Sequence, residues 1–288
     1  MRPTARSEAR FEARPEHGFT LVECVVVIAI TGVLASVVSL FIVKPVQAYL
    51  ATSARAVVVD QADLALRRVG RDLRIALAGS VRVTGSGLAL ELIPTRGGAR
   101  YATQGSGALD FGVVDTAFDV IGPGLDMAAA QQLVFYNLGA GVTGSDAYAA
   151  NASAAEQASS NRRSASNGAG VATSIGMVSV AGLPVANFAA PHRVLAVDAP
   201  VSYRCDLGAG TLSRYSGYGF VAAQPDPPVG GTVAVLASGV TACRFSADGT
   251  LVAARAALAE LALTLSTDTG FGTETVSLYQ AVYVDNLP

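Results

Sequence analysis

The sequence predicts an α+β protein: one long N-terminal helix, membrane-crossing in its first half and amphipathic in its second, packed on an antiparallel β-sheet globular domain. Three observations carry this expectation. A run of 25 residues, Phe19 to Val43, is almost wholly apolar. Beyond it, apolar residues recur at spacings of three and four. After Gly79 the pattern changes to short alternating or β-branched runs with no helical stretch between them, which argues for antiparallel sheets.

The chain has 288 residues, of which 51% are hydrophobic and 15% charged. That balance leans toward a membrane or envelope protein. A net charge of -2, with no long run of like charge, excludes the dense cationic face that nucleic acid requires. No nucleic-acid partner is expected.

Residues 1–18, MRPTARSEARFEARPEHG, read as a polar leader with four arginines and three glutamates. The apolar segment 19–43 follows. As a helix it spans about 37 Å, more than the roughly 30 Å hydrocarbon core of a bilayer. A secretory h-region is much shorter, about 7–15 residues. Arginines before the segment and Lys44 after it place the N-terminus in the cytoplasm and the remainder in the periplasm.

One carboxylate, Glu23, lies in this segment. A charge at the bilayer centre costs at least about 2.5 kcal/mol, and somewhat less near the end of a span. An apolar residue would insert better, so the charge must meet a partner. Cleavage between Gly18 and Phe19 would create one, an α-amino group four residues before Glu23, and in an apolar setting the two attract strongly. A carboxylate that merely reaches the membrane face is the plainer alternative.

The hexapeptide Gly18-Phe19-Thr20-Leu21-Val22-Glu23 resembles the type IV prepilin motif. The resemblance implies that prepilin peptidase cuts after Gly18 and methylates the new N-terminal Phe19. It also implies that Glu23, fifth in the mature chain, pairs with a terminal amine during assembly with other pilins. Two positions depart from the pattern: Cys24, where a bulky aliphatic is usual, and His17, where lysine or arginine is frequent. Neither touches the cleavage chemistry.

Lys44-Pro45 ends the apolar run, and the proline predicts a kink. From Asp60 the helical pattern is clear: Ala62, Leu66, Val69, Leu73 and Ala76 share one face. The amphipathic continuation is therefore placed at 44–77, and the whole element, Phe19 to Leu77, would reach roughly 90 Å.

Residues 78–288 read as a β-rich periplasmic domain. Its strand candidates are Val81–Val83, Leu88–Ile93, Leu109–Val114, Gln132–Asn137, Arg193–Asp198, Val201–Asp206, Thr211–Tyr215, Val233–Ala237, Ala242–Ser246, Ala257–Ser266 and Glu274–Val284. The last two form a terminal hairpin. Residues 139–172, rich in Ala, Ser, Gly and Asn, have little to bury and read as a flexible surface insertion.

Cys205 and Cys243 lie in strand-like segments. Outside the cytoplasm they would form a disulfide, closing a loop of roughly 40 residues at a gain of about 4 kcal/mol in the chain-entropy model. Two buried thiols are the alternative.

RDLRIAL (71–77), VSYRCDLGAGTLSRYSGY (201–218), GVTACRF (239–245) and VYVDNLP (282–288) are similar to the MshO type of minor pseudopilin of mannose-sensitive haemagglutinin (MSHA) pilus biogenesis, related to the J-type pseudopilins of type II secretion. That likeness implies a low-abundance subunit that primes or caps a filament. Competing readings are a J-like secretion pseudopilin, a membrane-anchored periplasmic binding protein or enzyme, and an adhesin. The sequence shows no aromatic cluster suited to sugar binding.

No catalytic residue, cofactor or metal is expected. His192 is the single histidine beyond the leader, and no zinc, P-loop or nucleophile-elbow signature occurs. Asp115, Asp119 and Asp126 flank a Gly-Pro-Gly turn without the spacing of a calcium loop, and read as a solvated acidic loop.

Overall fold

The computed structural model describes residues 18–248 and 257–284. Two compact units divide the chain, Met1–Thr52 and Ser53–Pro288.

The first unit is helical. Helix α1 (Leu21–Val38) buries none of its side chains and carries aliphatic residues on every side, the pattern of a helix solvated by lipid rather than by a core and water. Its hydroxyls are satisfied internally: Thr31 donates to the Val27 carbonyl at 2.7 Å, and Ser36 donates to Gly32 at 2.9 Å. A π-helical turn, Ser39–Val43, follows, in which the Lys44 N–H reaches the Ser39 carbonyl. Pro45 has no N–H to offer and its ring crowds the preceding turn, so the helix widens there and then continues as α2 (Lys44–Arg74). Residues Leu21–Arg74 make a helix long and apolar enough to cross a membrane.

The second unit contains the remainder of α2, from Ser53, and the β structure. Helix α2 ends at Arg74 rather than Leu77 because a strand captures its last turn. The Ile75 carbonyl accepts from the Thr95 N–H and hydroxyl, both at 2.7 Å, and the Leu77 N–H donates to Ile93 at 2.7 Å.

The strands run, in order, β1 (Arg82–Val83), β2 (Ala89–Leu92), β3 (Thr95–Tyr101), β4 (Ala117–Ile121), β5 (Leu125–Met127), β6 (Gln132–Phe135), β7 (Arg162–Ala165), β8 (Gly170–Ala172), β9 (Ser174–Val178), β10 (Arg193–Val197), β11 (Val201–Asp206), β12 (Thr211–Ser216), β13 (Thr232–Ser238), β14 (Val240–Asp248), β15 (Ala257–Asp268) and β16 (Thr273–Val284), with a short helix α3 (Ala154–Ala158) before β7. They pair antiparallel throughout. One sheet has the order β1-β2-β11-β12-β13, a second β14-β15-β16, and six strands close into a barrel, β10-β3-β4-β9-β7-β6.

Helix α2 seats Val58, Ala62, Ala65, Leu66, Val69 and Leu73 against both open sheets, where they meet Leu90, Tyr203, Leu212, Phe245 and Leu261 in one core. The predicted amphipathic face is thus the buried face. Asp72 is drawn into this core, 5% exposed. Its Oδ2 accepts from the Tyr203 hydroxyl at 2.7 Å and from Arg214 Nε at 3.0 Å. Burial, and the bond to Asp72, hold the Tyr203 hydroxyl well above its usual titration range, so it remains a donor. A second buried carboxylate, Glu91, is clamped by Arg82 at 2.6 Å and by the Tyr218 hydroxyl at 2.7 Å.

The barrel has its own interior, with Tyr101, Phe118 and Phe135 packed edge to face. This interior is an aromatic cluster that Phe111, Phe188 and His192 extend. Its members are spread over roughly ninety positions of chain, and only barrel closure gathers them.

Two expectations are corrected here. Leu109–Val114 forms no strand; Phe111 makes a single bridge to Leu183. Segment 139–172 is not a loose surface insertion, for it supplies α3, β7 and β8. Two arginines organise it. Arg162 donates to the carbonyls of Ala147 and Ala149 at 2.9 and 3.0 Å and to the Gln132 side chain at 3.1 Å. Arg163, fully buried, donates to the carbonyls of Gln157, Ser160, Arg162, Ala181 and Gly182 at 2.8–3.3 Å. Burial pushes both guanidinium groups down to about 10, so they stay cationic near neutral pH. A segment short of apolar side chains is held instead by backbone carbonyls converging on buried cations.

The predicted disulfide is present. Cys205 on β11 and Cys243 on β14 are bonded, with their Cα atoms 6.3 Å apart. It ties together two sheets that no strand ladder joins among the described residues.

Replacing Arg163 by methionine should cost about 3 kcal/mol or more in denaturant unfolding, because several buried carbonyls lose their donors together. Arg163→Lys should recover little, since an ammonium has only three donors and no planar fork. Opening Cys205–Cys243, by Cys205→Ser with Cys243→Ser, should lower stability by up to about 4 kcal/mol in the same assay, and added reductant should then have no further effect.

Candidate functional site

The site lies where the helix begins. Thr20 is the N-cap, in extended backbone (φ -80°, ψ 151°), and its hydroxyl accepts from the Glu23 N–H at 3.2 Å. The Cys24 N–H meets the Thr20 carbonyl, also at 3.2 Å, as the first helical bond. Gly18 and Phe19 therefore precede the helix in open chain, and both are exposed. Among the described residues, no hydrogen-bonded turn holds the bond between them.

No packing among the described residues requires a glycine at position 18: no described atom lies within 4 Å of where a Cβ would stand. The site is open to something outside the fold that must approach closely.

Glu23 occupies the third helical position. An acidic residue there is favoured by the helix dipole. In a full capping box its carboxylate would return to the N-cap amide, as Glu156 does for Ser153 at the start of α3. At α1 only the Thr20 half of the box is formed. The Glu23 carboxylate has no hydrogen-bond or ion-pair partner among the described residues. It is exposed in a run of aliphatic side chains, and in an apolar surrounding an unpaired carboxylate is costly.

Residues 13–39 match the prokaryotic N-terminal methylation motif. That match supports a type IV pilin-like protein, made as a precursor for prepilin peptidase, membrane-anchored, and assembling with other pilins. Neither the curated proteins nor the solved structures give a match to the chain. The motif spans the Gly18–Phe19 bond and all of α1; His17 and the rest of the expected leader lie outside the described residues.

Thr20 is the helix cap that sequence reasoning passed over. The signal was there, since Thr20-Leu21-Val22-Glu23 has the capping-box spacing ahead of an apolar run. Cys24 is free and exposed on α1. The remaining candidates are dispersed. Asp115 uses its carboxylate to accept from the Asp110 and Ala117 N–H groups. Asp119 stands on β4 and Asp126 on β5, and no metal-ligating cluster forms among the described residues. His192 has a φ of 57° and packs against Phe188 at 4.8 Å, with its Nδ1 3.4 Å from the Tyr101 hydroxyl.

Because no described atom crowds position 18, Gly18→Ala should leave folding and membrane insertion intact. The same variant should accumulate as uncut precursor, read by intact mass of the membrane fraction. A mature N-terminus at Phe19 in that variant would show that the glycine serves some other purpose.

Proposed function

We propose that the chain is a minor pilin or pseudopilin subunit that primes or caps an MSHA-type IV pilus. Prepilin peptidase cuts between Gly18 and Phe19 and methylates Phe19. The chain crosses the bacterial inner membrane once, N-terminus in the cytoplasm and β domain in the periplasm. The subunit is structural and carries no catalytic chemistry of its own.

The observation that carries this reading is the pairing of two oddities five residues apart: a glycine that no packing among the described residues demands and a carboxylate that has no partner among them. Cleavage explains the first and supplies the partner for the second. The new α-amino group would sit at the positive end of its own helix, where it is itself unfavourably placed. Meeting the carboxylate of a neighbouring subunit relieves both charges. The gain appears only when helices leave lipid for one another, which couples assembly to processing and sets axial register.

The orientation is supported by the arginines of residues 1–18 and by the Cys205–Cys243 bond, which belongs on the oxidising side of the membrane. The MSHA assignment, against a J-like subunit of type II secretion, is supported by the likeness of residues 201–218 and 239–245 to the MshO type.

Glu23→Ala should still insert and be cut, since the cleaved bond and the helix cap are untouched, yet should be incorporated poorly into filaments. Glu23→Gln should behave alike if charge is what matters. The readouts are the mature mass with and without prepilin peptidase and the amount of subunit in sheared filaments. Wild-type incorporation of both variants would remove the pairing.

A further inference from the structure

One asparagine of the chain, Asn167, is followed by glycine. The pair is chemically labile, because a glycine has no side chain to keep its own nitrogen from the carboxamide before it. Asn167-Gly168 lies between β7 and β8. Gly168 is exposed, and its N–H has no hydrogen-bond partner among the described residues. The nucleophile is therefore open to solvent. The carboxamide is not, for Asn167 is tied to β9. Its Nδ2 donates to the Ser174 carbonyl at 3.1 Å, and its Oδ1 accepts from the Gly176 N–H at 2.7 Å. Strands β7 and β9 share only two residue pairs, Ser164↔Val178 and Ala165↔Met177. The Ser166 N–H adds a bond to the Gly176 carbonyl at 2.9 Å. There the main chain leaves toward β8, and the Asn167 side chain continues the ladder in its place. The rung needs a donor for Ser174 and an acceptor for Gly176, and an amide supplies both.

We infer that Asn167 is a deamidation site gated by the β7–β9 seam of the barrel. While the seam is shut, β9 withholds the carboxamide; once the reaction has occurred, the seam no longer shuts as before. The Gly168 nitrogen gives its proton to solvent and attacks Asn167 Cγ. An N–Cγ bond forms, the Cγ–Nδ2 bond breaks, and Nδ2 leaves as ammonia, taking back a proton from solvent. Water then opens the cyclic imide at one of its carbonyls and leaves aspartate or isoaspartate at position 167. Nothing is oxidised or reduced, and water is the one co-reactant. To meet the Gly168 nitrogen, Cγ must turn from β9 and give up both of its hydrogen bonds. The product has carboxylate oxygens where the amide had a donor and an acceptor. One can still accept from Gly176, but the other faces the Ser174 carbonyl, acceptor against acceptor. Isoaspartate also lengthens the main chain between Ser166 and Gly168. The mark is one-way, and it records how often the seam has stood open.

The test uses the full-length chain in detergent micelles, aged in mildly alkaline buffer either folded or in concentrated urea, with the Cys205–Cys243 bond intact. Peptides covering residues 164–178 are read by mass for the replacement of NH2 by OH, and by an isoaspartate-specific methyltransferase. Conversion at Asn167 should run about ten-fold or more slower in the folded chain, since two hydrogen bonds must first be given up. Gly168→Ala should suppress conversion in urea by hindering the attack. It should leave the fold unchanged, because the Gly168 φ is outside the left-handed range and no atom lies within 4 Å of a Cβ there. Folded Asn167→Asp should exchange the amide hydrogens of residues 164–178 several-fold faster than wild type, with β15 and β16 unaffected. Asn167→Ala, which removes the rung without adding a charge, carries the same expectation if Asn167→Asp does not fold. Equal rates in the folded and unfolded chain, conversion at Asn151 or Asn161 ahead of Asn167 in urea, or wild-type exchange across residues 164–178 in a folded variant would each overturn the inference. None of these readouts depends on cleavage at Gly18, so the proposed function stands or falls separately.

Discussion

The β domain depends on a single apolar ridge. Helix α2 lays Val58, Ala62, Leu66, Val69 and Leu73 across two sheets that share no ladder, and its burial is what makes them one core. Apolar burial is directionless, so direction comes from polar pins. Asp72 on the helix is held by Tyr203 of β11 and Arg214 of β12. The disulfide from β11 to β14 fixes the second sheet to the first. A helix free to rotate or slide would lose the Asp72 bonds at once and leave a carboxylate buried without partners, a far larger cost than a shifted methyl contact.

The barrel solves a different problem. Segment 139–182 has too few large apolar residues for the usual solution, and its stability comes from geometry around cations. Arg162 and Arg163, adjacent in sequence, send their side chains to different sets of carbonyls on opposite flanks of the segment. No carboxylate balances Arg163 among the described residues; its charge is met by carbonyl dipoles and the Ser179 hydroxyl. A guanidinium tolerates this better than an ammonium because its charge is spread and its hydration weaker. Tyr148 completes the link to the rest of the domain, donating to the Ser80 carbonyl while its ring lies under Arg82.

The N-terminal helix contrasts with this domain at every point. Buried polar groups of the β domain are paired, apart from a few isolated atoms. On α1 the hydroxyls are paired too, back onto their own helix, but the one carboxylate is not, among the described residues. Within the methylation motif, that leaves Glu23 available to a partner from outside them. The capping of Thr20 onto Glu23's amide, not its carboxylate, is what keeps it available.

The sequence by itself determined the N-terminal half of this account. Gly18, Phe19, Glu23 and the apolar run are local in the chain, and a methylation motif and a helix are both written in consecutive residues, so spacing alone exposed them. The face of α2 was legible for the same reason, its 3.6-residue period being written in consecutive residues. The terminal hairpin β15–β16 was legible through alternation. What only the tertiary structure decided was whatever rests on pairing across distance. The barrel strand β3, Thr-Arg-Gly-Gly-Ala-Arg-Tyr, carries no apolar alternation because its partners, not its own side chains, make it a strand. The end of α2 was set by Ile93 and Thr95, which compete for its last amide and carbonyl groups. Arg163 looked like one more surface charge, since nothing near it in sequence reveals that five carbonyls from the segments around it would converge on a single guanidinium.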